Sequence, residues 1–390
     1  MTMADKLPVP DPIAQQHSEQ LLTLIKQKIV ESGGKISFSD YMQYCLFSPG
    51  LGYYSAGSHK IGKQGDFTTA PEISSLFSRT LAQHINAVFE QTKQSNILEF
   101  GAGSGKMAID ILTELQSQSS LPDHYYIIEA SADLRYRQEE SIRSEIPDIL
   151  DRVVWLDSLP ENFIGVILAN EVCDAMPVHC LTFNQGQVTE RYIETINSEL
   201  QWCEGELSQP YLSSHTDDIQ KLIGDISYTT EVNLAAEAWL ASLADSLEQG
   251  AIFIIDYGHP QASYYHPQRD KGTLMCYYQH QGHDNPLILQ GIQDITAHVN
   301  FTALAQTAID NELDVEGFQS QADFLLAGGI TELAPTGDNA NELSHFHYAS
   351  EIKQLTLPSE MGENFKVLTL SKNLEQLLPR CKLGDRRYSL

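Results

Sequence analysis

Basic residues are scarce in this 390-residue sequence, where 24 lysines and arginines stand against 52 aspartates and glutamates, for a formal net charge of −28. This charge argues against a nucleic acid partner, because phosphate binding needs a basic surface. It also argues against adhesion to an anionic membrane. The longest apolar runs, such as Ala251 to Ile255, have about half a dozen residues, whereas a membrane helix needs roughly 20. We therefore expect no membrane insertion.

Cysteine is also sparse, and no two cysteines form a CxxC pair; the six are Cys45, Cys173, Cys180, Cys203, Cys276 and Cys381. Scattered cysteines argue against a disulfide framework and a structural zinc site, so we expect no metal. Residues 1–11 have neither the apolar core of a secretory signal nor the arginine-rich character of a mitochondrial presequence. These absences predict a cytoplasmic location.

Short apolar segments alternate with helical patterns from about residue 96 onward. The predicted strands are Asn96–Phe100, Tyr125–Glu129, Val153–Leu156, Val166–Ala169 and Ala251–Asp256, with a last strand at Phe365–Leu370. This alternation predicts an α/β fold with a mostly parallel sheet and crossover helices. Such a sheet binds ligands at the carboxyl ends of its strands.

The pattern divides the chain into three parts. Residues 1–92 are mainly helical, and residues 93–180 together with 233–390 form the α/β core. Residues 181–232 interrupt the alternation with a hairpin around Asn184-Gln185-Gly186-Gln187 and a third strand, which predicts an insertion or lid on the substrate side. Residues 257–301, rich in Tyr, His, Gly and Gln, predict a long functional loop.

Three glycines at alternate positions follow the first predicted strand, in the order Glu99, Phe100, Gly101, Ala102, Gly103, Ser104, Gly105. Glycines let the backbone turn sharply and approach a ligand closely. A dinucleotide-binding loop needs its third glycine one residue later, where this sequence has Lys106. The pattern instead resembles motif I of class I S-adenosylmethionine-dependent methyltransferases. That resemblance implies that the loop packs against the aminoacyl chain of the cofactor and that Glu99 interacts with its cationic end.

Two further acids follow the next two predicted strands. Glu129 lies 24 residues beyond Gly105, at a strand end where a carboxylate can accept hydrogen bonds from both ribose hydroxyls. Asp157 lies just past the third strand, where we expect it near the adenine amino group. The alternative interpretation of these features is a tight turn with surface acids.

Several longer segments resemble one family in their order along the chain. The sequence is similar to the MidA-type methyltransferases from about residue 10 to 375 through the segments Gly65–Ser74, Asn170–Val178, Asp256–Gly258, Gly272–Leu274, Asp294–Phe301 and Met361–Val367. The mitochondrial members of that family act as arginine methyltransferases in respiratory complex I assembly.

The resemblance implies a class I methyltransferase (Rossmann-like) fold, with an N-terminal helical cap that contributes to the cofactor site and an insertion that binds substrate. It implies S-adenosyl-L-methionine as cofactor and a partner protein with an accessible arginine as substrate, a respiratory-complex subunit among the candidates; a homodimer is compatible with it. Three positions depart from the family pattern, Met275, Gln290 and Asn300, and they put the acceptor in doubt.

Carboxylates can hold a guanidinium bidentately and leave one nitrogen facing the methyl group. We assign this role to Glu171, with Asp174 as its support or as proton acceptor; the alternative for Asp174 is a helix cap. His298 is the candidate histidine, either for proton removal or for substrate contact, with a structural role as the alternative.

We expect further cofactor contacts from Asn170 and, in the N-terminal cap, from three residues just before a predicted helix: Asp66, Thr68 and Thr69. The alternative for the cap residues is helix capping ahead of Pro71.

Three other functions remain open at this point. The acceptor could be a small molecule or another protein group, or the chain could be an assembly factor that has lost catalysis. A nucleotide-dependent oxidoreductase is the third alternative, and Lys106 argues against it.

Overall fold

The computed structural model describes residues 7–56, 69–334 and 342–390, and these residues form two compact units. The first unit contains residues 7–56, 173–238 and 259–300. The second unit contains residues 69–172, 239–258, 301–334 and 342–390. The predicted division of the chain at residues 92, 180 and 232 stays a prediction.

The strands of the described residues are, in chain order, β1 (Lys35–Ser37), β2 (Asn96–Phe100), β3 (His124–Ile128), β4 (Val153–Leu156), β5 (Phe163–Asn170), β6 (His179–Asn184), β7 (Gln187–Ile196), β8 (Glu199–Gly205), β9 (Tyr228–Val232), β10 (Leu247–His259), β11 (Met275–Tyr278), β12 (Gln281–His283), β13 (Asp294–Thr296), β14 (Val299–Asn300), β15 (Asp314–Ser320) and β16 (Phe365–Lys372).

The α-helices of the same residues are α1 (Pro12–Glu31), α2 (Phe38–Phe47), α3 (Ala70–Ile73), α4 (Ser75–Phe89), α5 (Lys106–Ser117), α6 (Ala132–Glu145), α7 (Leu212–Ile223), α8 (Leu234–Ser246), α9 (Gln261–Tyr264), α10 (Phe301–Asp310), α11 (Gln321–Ala327), α12 (Ile330–Leu333), α13 (Glu342–Thr356) and α14 (Met361–Asn364). Among the helices that the structure describes, none combines the length and the apolar character needed to cross a membrane.

A mixed sheet forms the centre of the second unit, with strand order β15-β16-β10-β5-β2-β3-β4. The five strands from β10 to β4 are parallel to one another, and β16 is antiparallel to both β10 and β15. The predicted α/β fold with a mostly parallel sheet is confirmed. All residues of β5 except the last are buried, as expected for a parallel strand covered on both faces.

The apolar stripe of α4 explains why this helix packs onto the sheet unit. Phe77, Leu81 and Ile85 recur at helical spacing and are fully buried together with Ile111 of α5 and Val166 of β5. Burying each such side chain contributes roughly 1.5–3 kcal/mol. This packing fixes α5 against the sheet and so fixes the turn that precedes α5.

The first unit is built on an antiparallel sheet in which β7 pairs with β1, β6 and β8, and β6 also pairs with β9. Gln185 and Gly186 have φ of 50° and 78°, as a two-residue hairpin between β6 and β7 requires. The predicted hairpin and third strand are therefore confirmed.

Residues 257–301 do not form the long loop that their composition predicts. They contain a three-stranded sheet in the order β12-β11-β13. Burial alternates along β11, where Cys276 and Tyr278 are buried while Met275 is exposed, as in a strand with one face on the core. With so short a strand, two buried positions are too weak a pattern to stand out in the sequence.

Two glycines lie opposite each other where β10 pairs with β5. Gly250 is aligned with Gly165, and a Cβ on Gly250 would lie 1.8 Å from the carbonyl oxygen of Gly165. Gly250 also has φ of 142°, which other residues rarely adopt. We expect Gly250→Ala to lower the free energy of unfolding by at least about 3 kcal/mol, measured by urea denaturation.

Gly186→Ala is the matched control, since that hairpin glycine also has positive φ but a Cβ there would meet nothing within 4 Å. It should cost only about 1 kcal/mol. Equal losses for the two variants would contradict the proposed close approach of β10 and β5.

Candidate cofactor and active site

The strand order reverses at β2, and the reversal leaves room for a ligand at one edge of the sheet. From β2 the chain moves outward through β3 to β4, then crosses to β5 and β10 on the other side. The segments that follow β2 and β5 therefore diverge. Open α/β sheets bind ligands in this crevice, outside the carboxyl ends of the strands.

The glycine turn follows β2 at this crevice. Gly101, Gly103 and Gly105 have φ of 62°, 56° and 83°, so all three occupy the left-handed region that favours glycine. The turn leads directly into α5, whose N-cap residue Gly105 supplies no side-chain hydrogen bond. The first backbone N–H groups of α5 have no partner within the helix, and the helix dipole favours a negative group near them.

Glu99, one residue before the end of β2, is a buried acid. Its carboxylate accepts a hydrogen bond of 2.7 Å from the hydroxyl of Tyr125 on the neighbouring strand β3. Burial raises the pKa of Glu99 to about 7, the Tyr125 hydrogen bond opposes this rise, and the charge of Glu129 adds to it. The predicted contact of Glu99 with the cationic end of the cofactor stays a prediction.

Glu129 follows β3 with both of its carboxylate oxygens hydrogen bonded. Oε1 accepts from the backbone N–H of Ser131 at 2.9 Å, and Oε2 accepts from Nε2 of Gln138 at 3.0 Å. Burial raises the pKa of Glu129, and these two hydrogen bonds oppose the rise. Each oxygen keeps a lone pair that can accept a ribose hydroxyl.

Asp157 lies at the surface, with 89% of its side chain exposed, and forms a 2.7 Å ion pair with Arg135. A surface ion pair of this kind contributes little to stability, about 0–1 kcal/mol. The predicted role of Asp157 beside the adenine stays a prediction.

Asn170 and Glu171 mark the end of β5. Glu171 has φ of 54°, which is unusual for a residue with a side chain, and its backbone N–H donates to the carbonyl of Ile255 at 2.8 Å. Such a conformation costs on the order of 1–3 kcal/mol and is common at functional sites. The amide Nδ2 of Asn170 donates to Glu171 at 3.3 Å. The buried Oδ1 of Asn170 has no hydrogen-bond partner among the described residues.

Asp174 and His298 belong to the first unit. Asp174 is 5% exposed, and its backbone carbonyl accepts a hydrogen bond of 3.0 Å from Ala297. The backbone N–H of His298 donates to the hydroxyl of Thr273 at 3.1 Å, and its ring centroid lies 5.3 Å from that of His259. Their predicted catalytic roles stay predictions.

Of the three predicted cap residues, Asp66 and Thr68 lie outside the described residues. Thr69 occupies the N-cap position of α3, yet its side chain makes no capping hydrogen bond. Its carbonyl instead accepts from the backbone N–H of Glu72 at 3.0 Å. Thr69 therefore stands where a helix cap would be, but its side chain does not cap the helix.

The three departures from the family pattern have different surroundings. Gln290 is buried and donates to the carbonyl of Leu287 at 2.7 Å and to the hydroxyl of Tyr41 at 3.3 Å. Asn300 donates to the hydroxyl of Tyr265 at 3.4 Å, whereas Met275 is exposed. Gln290 therefore stabilises its own loop.

Sequence reasoning missed two side chains that contact the glycine turn. The carboxylate of Glu72 accepts a hydrogen bond from the hydroxyl of Ser104. Gln138 of α6 donates to the carbonyl of Gly103 at 3.1 Å. Glu72 lies within a segment that resembles the family, which was a usable signal. Gln138 lies in a helix rich in charged residues, where nothing distinguishes it from a surface residue.

These residues fit a cofactor that carries an amino acid group, a cation and a ribose. The partnerless Oδ1 of Asn170 can accept from an ammonium group, and Glu129 can accept from the ribose hydroxyls. The glycine turn lets the backbone come close to the ligand. The fold and this site define a cofactor-dependent α/β enzyme.

Comparison with known proteins identifies the family. Residues 77–319 match a family model of S-adenosyl-L-methionine-dependent methyltransferases, and the chain belongs to this family. A crystal structure from Burkholderia thailandensis bound to S-adenosyl-homocysteine is 38% identical, with a TM-score of 0.94 over 99% of this chain and 100% of that chain. The chain is accordingly an S-adenosyl-L-methionine-dependent methyltransferase, as the glycine turn and the resemblance predicted.

Two curated relatives align over most of the chain. The protein arginine methyltransferase NDUFAF7 homolog, mitochondrial, of Drosophila melanogaster is 27% identical over 92% of this chain and 86% of that protein. The protein arginine methyltransferase NDUFAF7, mitochondrial, of Homo sapiens is 26% identical over 92% of this chain and 83% of that protein.

The predicted cytoplasmic location is wrong by this comparison, because these relatives are named as mitochondrial proteins. The prediction used the composition of residues 1–11 and the scattered cysteines. Neither feature distinguishes the cytosol from another reducing compartment.

The raised pKa of Glu99 has a consequence for stability. An acid whose pKa is higher in the folded protein stabilises the fold below its ordinary pKa of 4.5, and this contribution is lost as the pH rises through about 7. Glutamine keeps the buried shape without the charge. As the pH rises from 5 to 8, the free energy of unfolding of Glu99→Gln should therefore increase by about 3 kcal/mol relative to that of wild type.

Urea denaturation at pH 5, 6.5 and 8 measures this difference. Glu161→Gln, which changes an exposed acid just before β5, should follow wild type at every pH. A Glu99→Gln difference that does not change with pH would show that Glu99 titrates at its ordinary pKa.

Proposed function

We propose that this methyltransferase transfers the methyl group of S-adenosyl-L-methionine to an arginine side chain of a partner protein. The curated relatives support this acceptor, because they are named protein arginine methyltransferases and align with about nine-tenths of the chain. The net charge of −28 also supports a cationic acceptor, since it attracts basic partners over long range.

The observation that carries the proposal is the conformation of Glu171. Its left-handed backbone is held by the hydrogen bond to Ile255, at the end of the strand beside β2. The parallel pairing of β2 with β5 brings Glu171 to the same edge of the sheet as the glycine turn. A carboxylate there can pair with a guanidinium, and strained backbone of this kind is common at functional sites.

The bound cofactor supplies an electrophilic methyl group on its positively charged sulfur. The carboxylate of Glu171 then has to align one guanidinium nitrogen with that methyl carbon while water is excluded. Asn170 keeps Glu171 in place through its Nδ2 hydrogen bond and offers Oδ1 to the amino group of the cofactor. Glu129, oriented by Ser131 and Gln138, would hold the ribose.

The guanidinium must lose a proton as the nitrogen–carbon bond forms and the sulfur–carbon bond breaks. A free guanidinium keeps its proton, with a pKa above about 12, so a nearby carboxylate has to favour transfer by localising the charge. We assign the proton to Asp174 or His298. The acceptor protein, with a respiratory-complex subunit among the candidates, the degree of methylation and a homodimer remain predictions.

Glu171→Gln should lower the rate of methyl transfer by roughly a hundredfold or more, because glutamine keeps the shape but cannot pair with a guanidinium. The measurement is transfer of a labelled methyl group from S-adenosyl-L-methionine to proteins of a cell lysate, followed by mass spectrometry of the labelled residue. Glu161→Gln, at the opposite end of β5, is the control and should label at the wild-type rate.

Three outcomes would contradict parts of this proposal. Label on a residue other than arginine, or on a small molecule, would reject the acceptor. Equal labelling by wild type and Glu171→Gln would reject the role of Glu171. No labelling by wild type, with cofactor binding intact, would favour an assembly factor without catalysis.

A further inference from the structure

Gln138 is a fully buried polar residue on α6 that bonds to three separate segments, the glycine turn, Glu129 and β4. Its Nε2 donates to the carbonyl of Gly103 at 3.1 Å and to Oε2 of Glu129 at 3.0 Å. Its Oε1 accepts from the indole N–H of Trp155 on β4 at 2.9 Å. Cα, Cβ and Cγ of Gln138 also lie 3.5–3.6 Å from where a Cβ on Gly105 would be.

The partners fix the orientation of the Gln138 amide. The indole of Trp155 can only donate, so it has to face the amide oxygen. An ionised Glu129 and the carbonyl of Gly103 can only accept, so they have to face the amide nitrogen. Both hydrogens of the nitrogen are then used. A leucine could not make these bonds, and a glutamate would place a second acid beside Glu129.

We propose that Gln138 is a positioning residue for the adenosine part of the cofactor, holding the glycine turn, Glu129 and Trp155 in one fixed arrangement. The glycine turn follows β2, Glu129 follows β3 and Trp155 lies on β4, so the amide connects three consecutive strands at their carboxyl ends. This inference rests on the cofactor site described above and does not depend on the identity of the methyl acceptor.

The connection affects binding through Glu129. The amide donor favours the ionised form of this partly buried carboxylate, and each ionised oxygen keeps a lone pair that can accept a ribose hydroxyl. Without Gln138 the carboxylate loses a hydrogen bond that a partly buried charge needs, and the glycine turn loses its link to α6. Both effects should appear as weaker cofactor binding.

The test measures binding of S-adenosyl-homocysteine to the full chain by calorimetry. Gln138→Leu should raise the Kd by roughly tenfold to a hundredfold, as expected for the loss of a hydrogen bond to a charged group. Gln319→Leu is the matched control, because Gln319 is also fully buried and its amide donates to Leu383 at 2.6 Å, on the edge strand β15. The control should bind like wild type.

Gln138→Glu gives a second result that a loss of packing would not produce. At pH 8 the introduced carboxylate repels Glu129, so the Kd should exceed that of wild type by roughly a hundredfold. As the pH falls to 6, the two acids take up a shared proton and one O–H can donate again. The Kd relative to wild type should then improve by about tenfold. If Gln138→Leu does not fold, Gln138→Glu alone tests the positioning role of Gln138.

Trp155 emission supplies a spectroscopic signature. The emission of Trp155 is obtained by subtracting the fluorescence of the Trp155→Phe form of each protein from the fluorescence of that protein. The Trp155 emission should change when S-adenosyl-homocysteine binds to wild type and to Gln319→Leu. In Gln138→Leu this change should be absent even at saturating ligand.

Gln138 variants that bind like wild type at both pH values would overturn the inference. Wild type that binds no S-adenosyl-homocysteine would instead overturn the cofactor site itself. Tight binding without methylated arginine would contradict only the proposed acceptor.

Discussion

The position of β2 between two parallel neighbours is the constraint on which the rest of the structure depends. The chain leaves β2 toward β3 and later returns on the other side as β5, so the segments after β2 and β5 are drawn apart. Covering both faces of such a sheet with helices leaves one accessible edge. The glycine turn and the pair Asn170-Glu171 meet this edge because they follow these two strands.

Buried acids are costly, and the structure shows how this site accommodates them. Glu99 has the hydroxyl of Tyr125, and Glu129 has the amide of Gln138 and the backbone of Ser131. Without such donors each carboxylate would favour its neutral form. Glu99 is only 1% exposed, so burial raises its pKa to about 7 although Tyr125 donates to it. The two acids therefore differ because of their hydrogen bonds and their burial.

Local features of the sequence were sufficient to predict the five parallel strands of the central sheet and the glycine turn. A run such as β5 is apolar almost throughout, and the spacing of Gly101, Gly103 and Gly105 has a direct backbone meaning. The role of Gln138 was not predictable, because it depends on how α6 packs against β3 and β4, and α6 is otherwise polar. The ion pair of Asp157 with Arg135 of α6 was not predictable for the same reason.

The most direct test of the central claim is a crystal structure of the full chain with S-adenosyl-homocysteine. The ligand should lie at the carboxyl ends of β2 and β3, with its ribose on Glu129 and its amino acid group beside Gly101 to Gly105 and Asn170. Electron density for the ligand elsewhere on the chain, with the glycine turn left uncovered, would contradict this placement.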